Sequence, residues 1–222
     1  MVKWEAAFRV VAHEIRTPAG VIAGYARMLK SGRLDDATRH DALRQVERAA
    51  GRLGDLAQQA SDLASWLERR DGAPLQLLPL SAIIDVAARA VSAPERVRVV
   101  SNPVATEWRV RTPESRALSA ALAAVIDATA REVEAPGAEV SVAARRADTD
   151  GWCDVVVGPS EQIDDAPDPL EPGRGAFNFE GGGLGLRLLL GAVVLDAHGA
   201  KLWASANHRG VAGIRIPIGA GA

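Results

Sequence analysis

The feature that most constrains the fold of this chain is a repeat of apolar side chains in two long N-terminal segments. In the first segment these side chains alternate spacings of three and four, at Phe8, Val11, Ile15, Pro18, Ile22, Tyr25 and Leu29. The second segment keeps the same alternation, at Leu43, Val46, Ala50, Leu53, Ala57, Ala60, Ala64 and Leu67. Such spacing places the side chains of each segment on one face of an α-helix, as in a coiled coil. The sequence therefore predicts two helices, separated by a helix stop at Ser31 and Gly32.

Two helices of this length joined by a short turn form a hairpin that buries little surface when it stands alone. A second copy would cover the apolar face and complete a four-helix bundle. We therefore predict a homodimer through residues 3–70. The pattern leaves one alternative open, in which the hairpin packs against the C-terminal part of its own chain. The turn residues Asp71 to Pro74 end the second helix, so the first domain is predicted to span residues 1–72.

Residues 73–222 mix helical and strand-like patterns without strict alternation, which predicts an α+β fold with an α/β sandwich as its second domain. Helices are predicted at 81–91, 114–133 and 184–197, and strands at 97–101, 107–111, 139–144, 152–157, 201–206 and 213–218. A stretch rich in proline, glycine and aspartate covers about 159–183. It is too long for a plain connection and predicts a lid over a binding site. The alternative is a disordered loop that carries Phe177 and Phe179.

The composition argues against several classes of function. The formal net charge is −2 and the isoelectric point is about 6.1, so a basic face for nucleic acid is not expected. The longest apolar run, 184–197, contains Arg187 and Asp196 and is too short to span a membrane. A single cysteine, Cys153, precludes an internal disulfide and fits a reducing compartment. We therefore expect a cytoplasmic chain, either by itself or as the soluble part of a larger membrane-anchored protein.

The most specific motif is the run His13-Glu14-Ile15-Arg16-Thr17-Pro18 on the first helix. His13 lies two residues beyond the repeat position Val11, so its side chain is predicted to face solvent, with Thr17 one helical turn further on. A neutral imidazole nitrogen is a competent phosphoryl acceptor. A neighbouring carboxylate, here Glu14, can take the ring proton or fix the tautomer, and the Thr17 hydroxyl can orient a water for the reverse, hydrolytic reaction. The alternative is an exposed histidine among ordinary surface charges.

This run, inside one heptad helix that is followed by another, resembles the phosphoacceptor box of the sensor histidine kinases of two-component systems. The resemblance implies that His13 is phosphorylated, that Glu14 is the base in autophosphorylation, and that Glu14 and Thr17 serve in dephosphorylating a partner. It also implies a homodimeric four-helix bundle followed by an ATP-binding sandwich of the histidine kinase type. The implied partner is the receiver domain of a response regulator, whose aspartate exchanges the phosphoryl group with His13.

The nucleotide-binding part of the resemblance depends on a glycine run that opens the helix at 184–197 and precedes His198 and Gly199. In the family, such glycines let backbone amides approach the triphosphate at a helix N-terminus. The resemblance assigns ATP binding to four of them, Gly181, Gly182, Gly183 and Gly185.

Two other nucleotide boxes depart from the family pattern. Ala123 and Asp127 stand where the family has asparagines that coordinate magnesium, so only Asp127 offers an oxygen to Mg²⁺. Gly158 stands where the family has an aspartate that accepts from the adenine amino group. Each lost contact to a charged partner weakens binding about ten- to hundredfold. We therefore expect ATP and Mg²⁺ to bind weakly or not at all.

Three functions remain open at this point. The first is an ATP-dependent autokinase that passes its phosphoryl group from His13 to a response regulator. The second is a histidine phosphotransferase or phosphatase that takes the group from a partner, and the third is a pseudokinase scaffold that does not use ATP. The remaining histidines, His40, His198 and His208, lack the spacing of metal ligands, so we predict surface or capping roles for them.

Overall fold

The computed structural model describes residues 4–32, 34–68, 75–100, 107–133, 137–163, 185–205, 208 and 210–219. The chain forms two compact units, one with the two N-terminal helices and the other with the strands and the remaining helices. The predicted boundary between residues 72 and 73 lies among residues 69–74, outside the described part of the chain. The predicted lid also lies outside it from residue 164 to residue 183.

The first unit is a pair of long helices, α1 (Trp4–Lys30) and α2 (Asp36–Glu68). The predicted stop between them is confirmed at Gly32, whose φ of 67° lies in the left-handed region that favours glycine. Asp35 caps the start of α2, because its Oδ1 accepts a hydrogen bond of 2.7 Å from the backbone N–H of Thr38. That backbone bond holds the pKa of Asp35 below its usual range.

The two helices pack through faces that are shifted by one residue from the predicted heptad faces. In the predicted faces Phe8, Ile15 and Leu43 are 67%, 39% and 51% exposed, respectively. A helix can carry two adjacent apolar faces, and periodicity alone does not say which of them packs inside the chain. The predicted face contributes Pro18 to the buried side chains of the first unit. The others are Ala7, Val10 and Glu14 of α1 and Ala42, Ala49, Leu56 and Leu63 of α2.

The second unit confirms the predicted α+β class. Its strands are β1 (Gln76–Pro79), β2 (Val97–Val100), β3 (Arg109–Thr112), β4 (Val140–Arg146), β5 (Trp152–Gly158), β6 (Lys201–Ala204) and β7 (Ala212–Pro217). Its helices are α3 (Leu80–Arg89), α4 (Ser115–Glu132), α5 (Ser160–Ile163) and α6 (Gly185–Ala197), with a 3₁₀ turn at Pro94–Arg96. A five-stranded sheet has the order β2-β4-β5-β7-β6, and β1 pairs with β3 in a separate ribbon. The sequence did not predict β1 or α5.

The centre of the sheet holds a buried ion pair. The antiparallel register of β5 and β7 places Asp154 opposite Arg215. The Arg215 guanidinium donates from Nε to Oδ1 at 3.0 Å and from Nη2 to Oδ2 at 2.9 Å. Cys153, which precedes Asp154 on β5, is fully buried. This burial, together with the charge of Asp154, raises the pKa of the Cys153 thiol to about 12. Cys153 is therefore an unreactive core residue, as the sequence indicated.

His198 makes a capping contact at the end of α6, as the sequence predicted, but it does not lie on the surface, which was the other predicted role. Its side chain is buried after the end of α6, where Nδ1 lies 2.6 Å from the carbonyl oxygen of Val194. Nε2 lies 2.8 Å from the Thr112 hydroxyl, which in turn accepts from the backbone N–H of Glu114 at 3.0 Å. The ring can be buried because Thr112 of β3, 86 positions away in the sequence, gives Nε2 a hydrogen-bond partner inside the unit.

Candidate functional site

His13 lies in the first half of α1 with its side chain exposed, as the sequence predicted. Beside it the surface of the helical unit forms an open cleft with a volume of about 420 Å³. The residues that line the cleft are His13, Glu14, Thr17, Pro18, Val21, Gln45, Arg48, Ala49 and Arg52. All three residues predicted for the phosphoacceptor site therefore border one cleft between α1 and α2.

Glu14 turns away from solvent and towards α2. Its side chain is buried, and its Oε2 lies 3.4 Å from Nη2 of Arg52, a residue that is half exposed. A carboxylate removed from water needs a cation or hydrogen-bond donors to remain charged. Arg52 supplies a cation beside the buried carboxylate of Glu14 at the wall of the cleft, one residue from the exposed imidazole. Thr17, one helical turn beyond His13, stays exposed to solvent.

We expect Arg52→Gln to lower the free energy of unfolding of the helical unit by about 1 kcal/mol, because the buried carboxylate loses its cation while Arg52 itself is well solvated. Urea unfolding followed by circular dichroism measures this change. Arg48→Gln is the matched control, since Arg48 lines the same cleft one turn earlier on an exposed position. Equal losses in the two variants would contradict the role of Arg52 as the partner of Glu14.

Asp127, predicted as a magnesium ligand, is buried in α4 and holds three donors on its two carboxylate oxygens. Oδ1 accepts from the backbone N–H of Ser92 at 2.9 Å, and Oδ2 accepts from the Ser92 hydroxyl at 3.2 Å. Oδ2 also accepts from Nη1 of Arg187 at 2.5 Å. The carboxylate is therefore engaged by a serine and an arginine of its own unit.

The other positions of the family's nucleotide boxes give little support for a binding site. Ala123, at the other asparagine position, is fully buried and apolar. A Cβ added at Gly158, the position of the adenine-binding aspartate, would meet Cγ2 of Val211 at 2.9 Å and the carbonyl oxygen of Gly210 at 3.2 Å. Gly185 is the first residue of α6. The other three predicted glycines, Gly181, Gly182 and Gly183, lie outside the described residues.

Among the described residues, none of the helices combines the length and the apolar character that a membrane span needs. No group of three or more histidine, cysteine, aspartate or glutamate side chains in those residues could hold a metal ion.

Comparison with protein families gives a match to the N-terminal helices. Residues 3–68 match the family described as His Kinase A (phospho-acceptor) domain, a range that includes His13, Glu14 and Thr17. The hairpin is a histidine kinase phosphoacceptor domain. In this HisKA domain the run from His13 to Pro18 lies on α1, where the resemblance placed it. No curated protein sequence matches the chain.

Solved structures show that the HisKA domain and the second unit together have the fold of sensor histidine kinases. The histidine kinase AdeS of Acinetobacter baumannii matches with a TM-score of 0.59 and 16% identity, over 95% of this chain and 98% of AdeS. Full-length ShkA in complex with AMPPNP matches with a TM-score of 0.56 and 18% identity, over 100% of this chain and 47% of ShkA.

A third match is ThkA in complex with the response regulator protein TrrA, with a TM-score of 0.56 and 18% identity, over 93% of this chain and 59% of ThkA. The chain thus spans less than two thirds of the ShkA and ThkA chains that it matches. At these identities the likeness concerns the fold.

Sequence reasoning missed the residues of α2 that border the HisKA cleft. Gln45, Arg48 and Arg52 recur at spacings of three and four, which places them on one helix face, but nothing in the sequence tells that this face lies beside His13. One signal in the sequence could have indicated Arg52. Glu14 is a carboxylate at the edge of an apolar face, and a carboxylate buried there needs a cation on the facing helix. Arg187 and Ser92 were missed as partners of Asp127 because they are distant in sequence.

Proposed function

We propose that this protein exchanges a phosphoryl group between His13 and an aspartate of a response-regulator receiver domain. The observation that carries the proposal is an exposed imidazole on a HisKA domain, beside a cleft that Glu14 and Thr17 also line. In the step towards His13, an imidazole nitrogen donates its electron pair to phosphorus, and the P–O bond of the donor breaks. The ring proton then passes to Glu14 or to water. The donor oxygen leaves with the electron pair.

A response regulator is the partner that this chemistry fits. When phosphorylated, its receiver aspartate is an acyl phosphate, which can donate its phosphoryl group to an exposed imidazole. When free, the aspartate carboxylate can accept a phosphoryl group from phosphohistidine. ThkA, which shares the fold, is described in complex with a response regulator protein. A receiver-domain partner and a buried free thiol both fit a cytoplasmic location for this chain.

ATP is the weaker candidate as a phosphoryl source. The position of the adenine-binding aspartate is a glycine beside which Val211 and Gly210 leave no ordinary space for a side chain. Ala123 supplies no ligand atom, and Asp127 is engaged by Ser92 and Arg187. We therefore propose weak or absent ATP binding, which favours transfer from a partner over autophosphorylation. The autokinase reaction is the second candidate, since α6 begins at Gly185 as the resemblance requires.

One labelling experiment distinguishes these functions. The chain is incubated with ³²P-labelled ATP and Mg²⁺, and in parallel with a receiver domain that already carries ³²P on its aspartate. We expect acid-labile label from the receiver domain and little from ATP. Label from ATP alone, at a rate comparable with an active histidine kinase, would favour the autokinase. No label from either source would leave only the scaffold function and would overturn the proposal.

Thr17 is predicted to act in the hydrolytic direction. We expect Thr17→Ala to slow dephosphorylation of the receiver domain about ten- to hundredfold, because a hydroxyl that orients the attacking water is lost. Labelling of His13 should change less than about twofold, and Thr17→Ser should retain most of the hydrolytic rate. The two rates are measured by release of inorganic phosphate and by acid-labile label. Equal losses in both would contradict a role confined to hydrolysis.

The apolar faces that the hairpin leaves exposed support a homodimer. Phe8, Ile15 and Leu43 are more than a third exposed, although they belong to the heptad faces that the sequence singled out. Since α1 and α2 pack through other residues, these faces remain to be covered by something other than the partner helix of the hairpin. A second HisKA domain, presenting the same faces, completes the four-helix bundle.

We expect Leu43→Asp to shift the protein from dimer to monomer, with a dissociation constant raised about a hundredfold or more, because a carboxylate would be buried at an apolar interface. Sedimentation equilibrium measures the change. The control is Arg27→Glu, which alters charge on α1 at an exposed position that faces away from Tyr25. A wild-type chain that stays monomeric at high concentration would contradict the dimer.

A further inference from the structure

We propose that the guanidinium of Arg187 takes the place of a divalent cation in the second unit, so that this unit is built and held without magnesium. The inference goes beyond phosphoryl exchange at His13 and concerns the second unit alone. It begins from Asp127, the one residue at the family's magnesium positions that carries an oxygen ligand. The structure gives that oxygen a permanent positive partner from the same chain.

The geometry of Asp127 leaves poor access for a metal ion. Its side chain is only 8% exposed, and both oxygens accept hydrogen bonds, from Ser92 and from Nη1 of Arg187 at 2.5 Å. Magnesium requires near-octahedral oxygen ligands at about 2.0–2.1 Å and keeps several waters. A magnesium ion on Oδ2 would displace the Arg187 nitrogen and the Ser92 hydroxyl. The second ligand position offers no compensation, since Ala123 is buried and apolar.

The fixed positive charge of Arg187 opposes the binding of a divalent cation at Asp127. An arginine side chain cannot lose its proton in a protein, so Arg187 is positive at any working pH. A divalent cation at Asp127 would stand a few ångströms from this fixed charge in a partly buried place, where repulsion between like charges is strong. The guanidinium neutralises the carboxylate without needing to leave water completely, because 32% of the Arg187 side chain is exposed. The internal ion pair therefore excludes the metal.

The contacts of Asp127 with Ser92 and Arg187 also connect three segments of the unit. Asp127 lies on α4, Arg187 lies in the first turn of α6, and Ser92 follows α3. Arg187 also contacts the carbonyl oxygen of Ala90 through Nη2 at 3.4 Å. Here the protein supplies the bridging charge itself, and we infer that any nucleotide bound by this unit binds equally well with and without Mg²⁺.

The first test needs no variant. Thermal unfolding of the wild-type chain is followed in millimolar Mg²⁺ or in EDTA, with and without ATP. We expect the same melting temperature in Mg²⁺ and EDTA under either condition. A melting temperature that Mg²⁺ raises in the presence of ATP would overturn the inference, and loss of this effect in Asp127→Asn would show that the ion binds at Asp127. Labelling of His13 by a phosphorylated receiver domain does not enter this measurement, so the two proposals fail independently.

The second test measures the ion pair itself. Asp127→Asn and Arg187→Gln should each lower the melting temperature of the second unit by roughly 4–12 °C, and the double variant should lose clearly less than the sum. The control is Arg98→Gln, since Arg98 and Glu139 form an exposed pair at 3.9 Å whose loss should shift melting by less than about 2 °C. Additive effects of the two single substitutions would contradict a bridging pair. Binding of Mn²⁺ with ATP, detected by electron paramagnetic resonance and abolished by Asp127→Asn, would do the same.

Discussion

His13→Gln is expected to remove acid-labile phosphate from the protein, with label from a phosphorylated receiver domain falling roughly a thousandfold or more, to background. The reason is that the substitution removes the attacking nitrogen while it keeps a polar side chain of similar length on an exposed position of α1. Because that position makes no contribution to the buried faces of the hairpin, the HisKA domain should keep its helix content. Filter-bound label after alkaline treatment, compared with circular dichroism of the same sample, measures both quantities.

His40→Gln is the matched control for this experiment. His40 is also exposed and helical, and its Nδ1 lies 2.9 Å from the backbone carbonyl oxygen of Asp36 on α2. It lacks the neighbouring run of Glu14, Thr17 and Pro18 that surrounds His13. We expect His40→Gln to take up label within about twofold of the wild type. Label that persists in His13→Gln and disappears in His40→Gln would move the phosphoacceptor to α2 and refute the present assignment.

Arg215→Met should cause the largest loss of stability, about 3–5 kcal/mol, because it leaves the carboxylate of Asp154 buried without its cation. Asp154 is only 1% exposed, and Arg215 donates one hydrogen bond to each of its two carboxylate oxygens. For a unit of this size the loss corresponds to a fall in melting temperature of roughly 6–20 °C. Differential scanning calorimetry of the full chain separates this effect from unfolding of the HisKA domain.

The double variant with Asp154→Leu and Arg215→Met tests the cause of that loss. If an unpaired buried charge is responsible, removing both partners should recover most of the stability, since apolar groups can fill the same space between β5 and β7. A double variant as unstable as Arg215→Met alone would show that the side chain of Arg215 acts through packing and that the ion pair matters little.

Much of the fold could be predicted because its signals are local. The heptad spacing from Phe8 to Leu29 predicts one helix, and the stop at Gly32 is confirmed by a left-handed backbone that only glycine adopts readily. The motif at His13 is also local, since its residues lie within two helical turns. Exposure of His13 follows from helical geometry alone, two residues beyond an apolar position.

The rest depends on contacts between residues that are far apart in sequence. Nothing in the sequence distinguishes the apolar face that packs within the hairpin from the one left exposed, so the predicted seam was shifted by one residue from the buried one. Asp127 was predicted to face a metal, whereas the structure pairs it with Arg187, 60 positions away. Strand β1 was missed because Gln76–Pro79 pairs with β3, a strand distant in sequence, in an antiparallel ribbon outside the main sheet.

The surroundings of His198 set a limit on phosphorylation stoichiometry. The carbonyl oxygen of Val194 can only accept, so Nδ1 of His198 carries the proton, and in the neutral ring Nε2 accepts from the Thr112 hydroxyl. Both nitrogens of this imidazole are thereby occupied inside the second unit, and no lone pair remains with which to attack phosphorus. His13 and His198 thus differ in their ability to accept a phosphoryl group, although both are histidines. The phosphate measured per protomer should include none on His198 while the native structure persists.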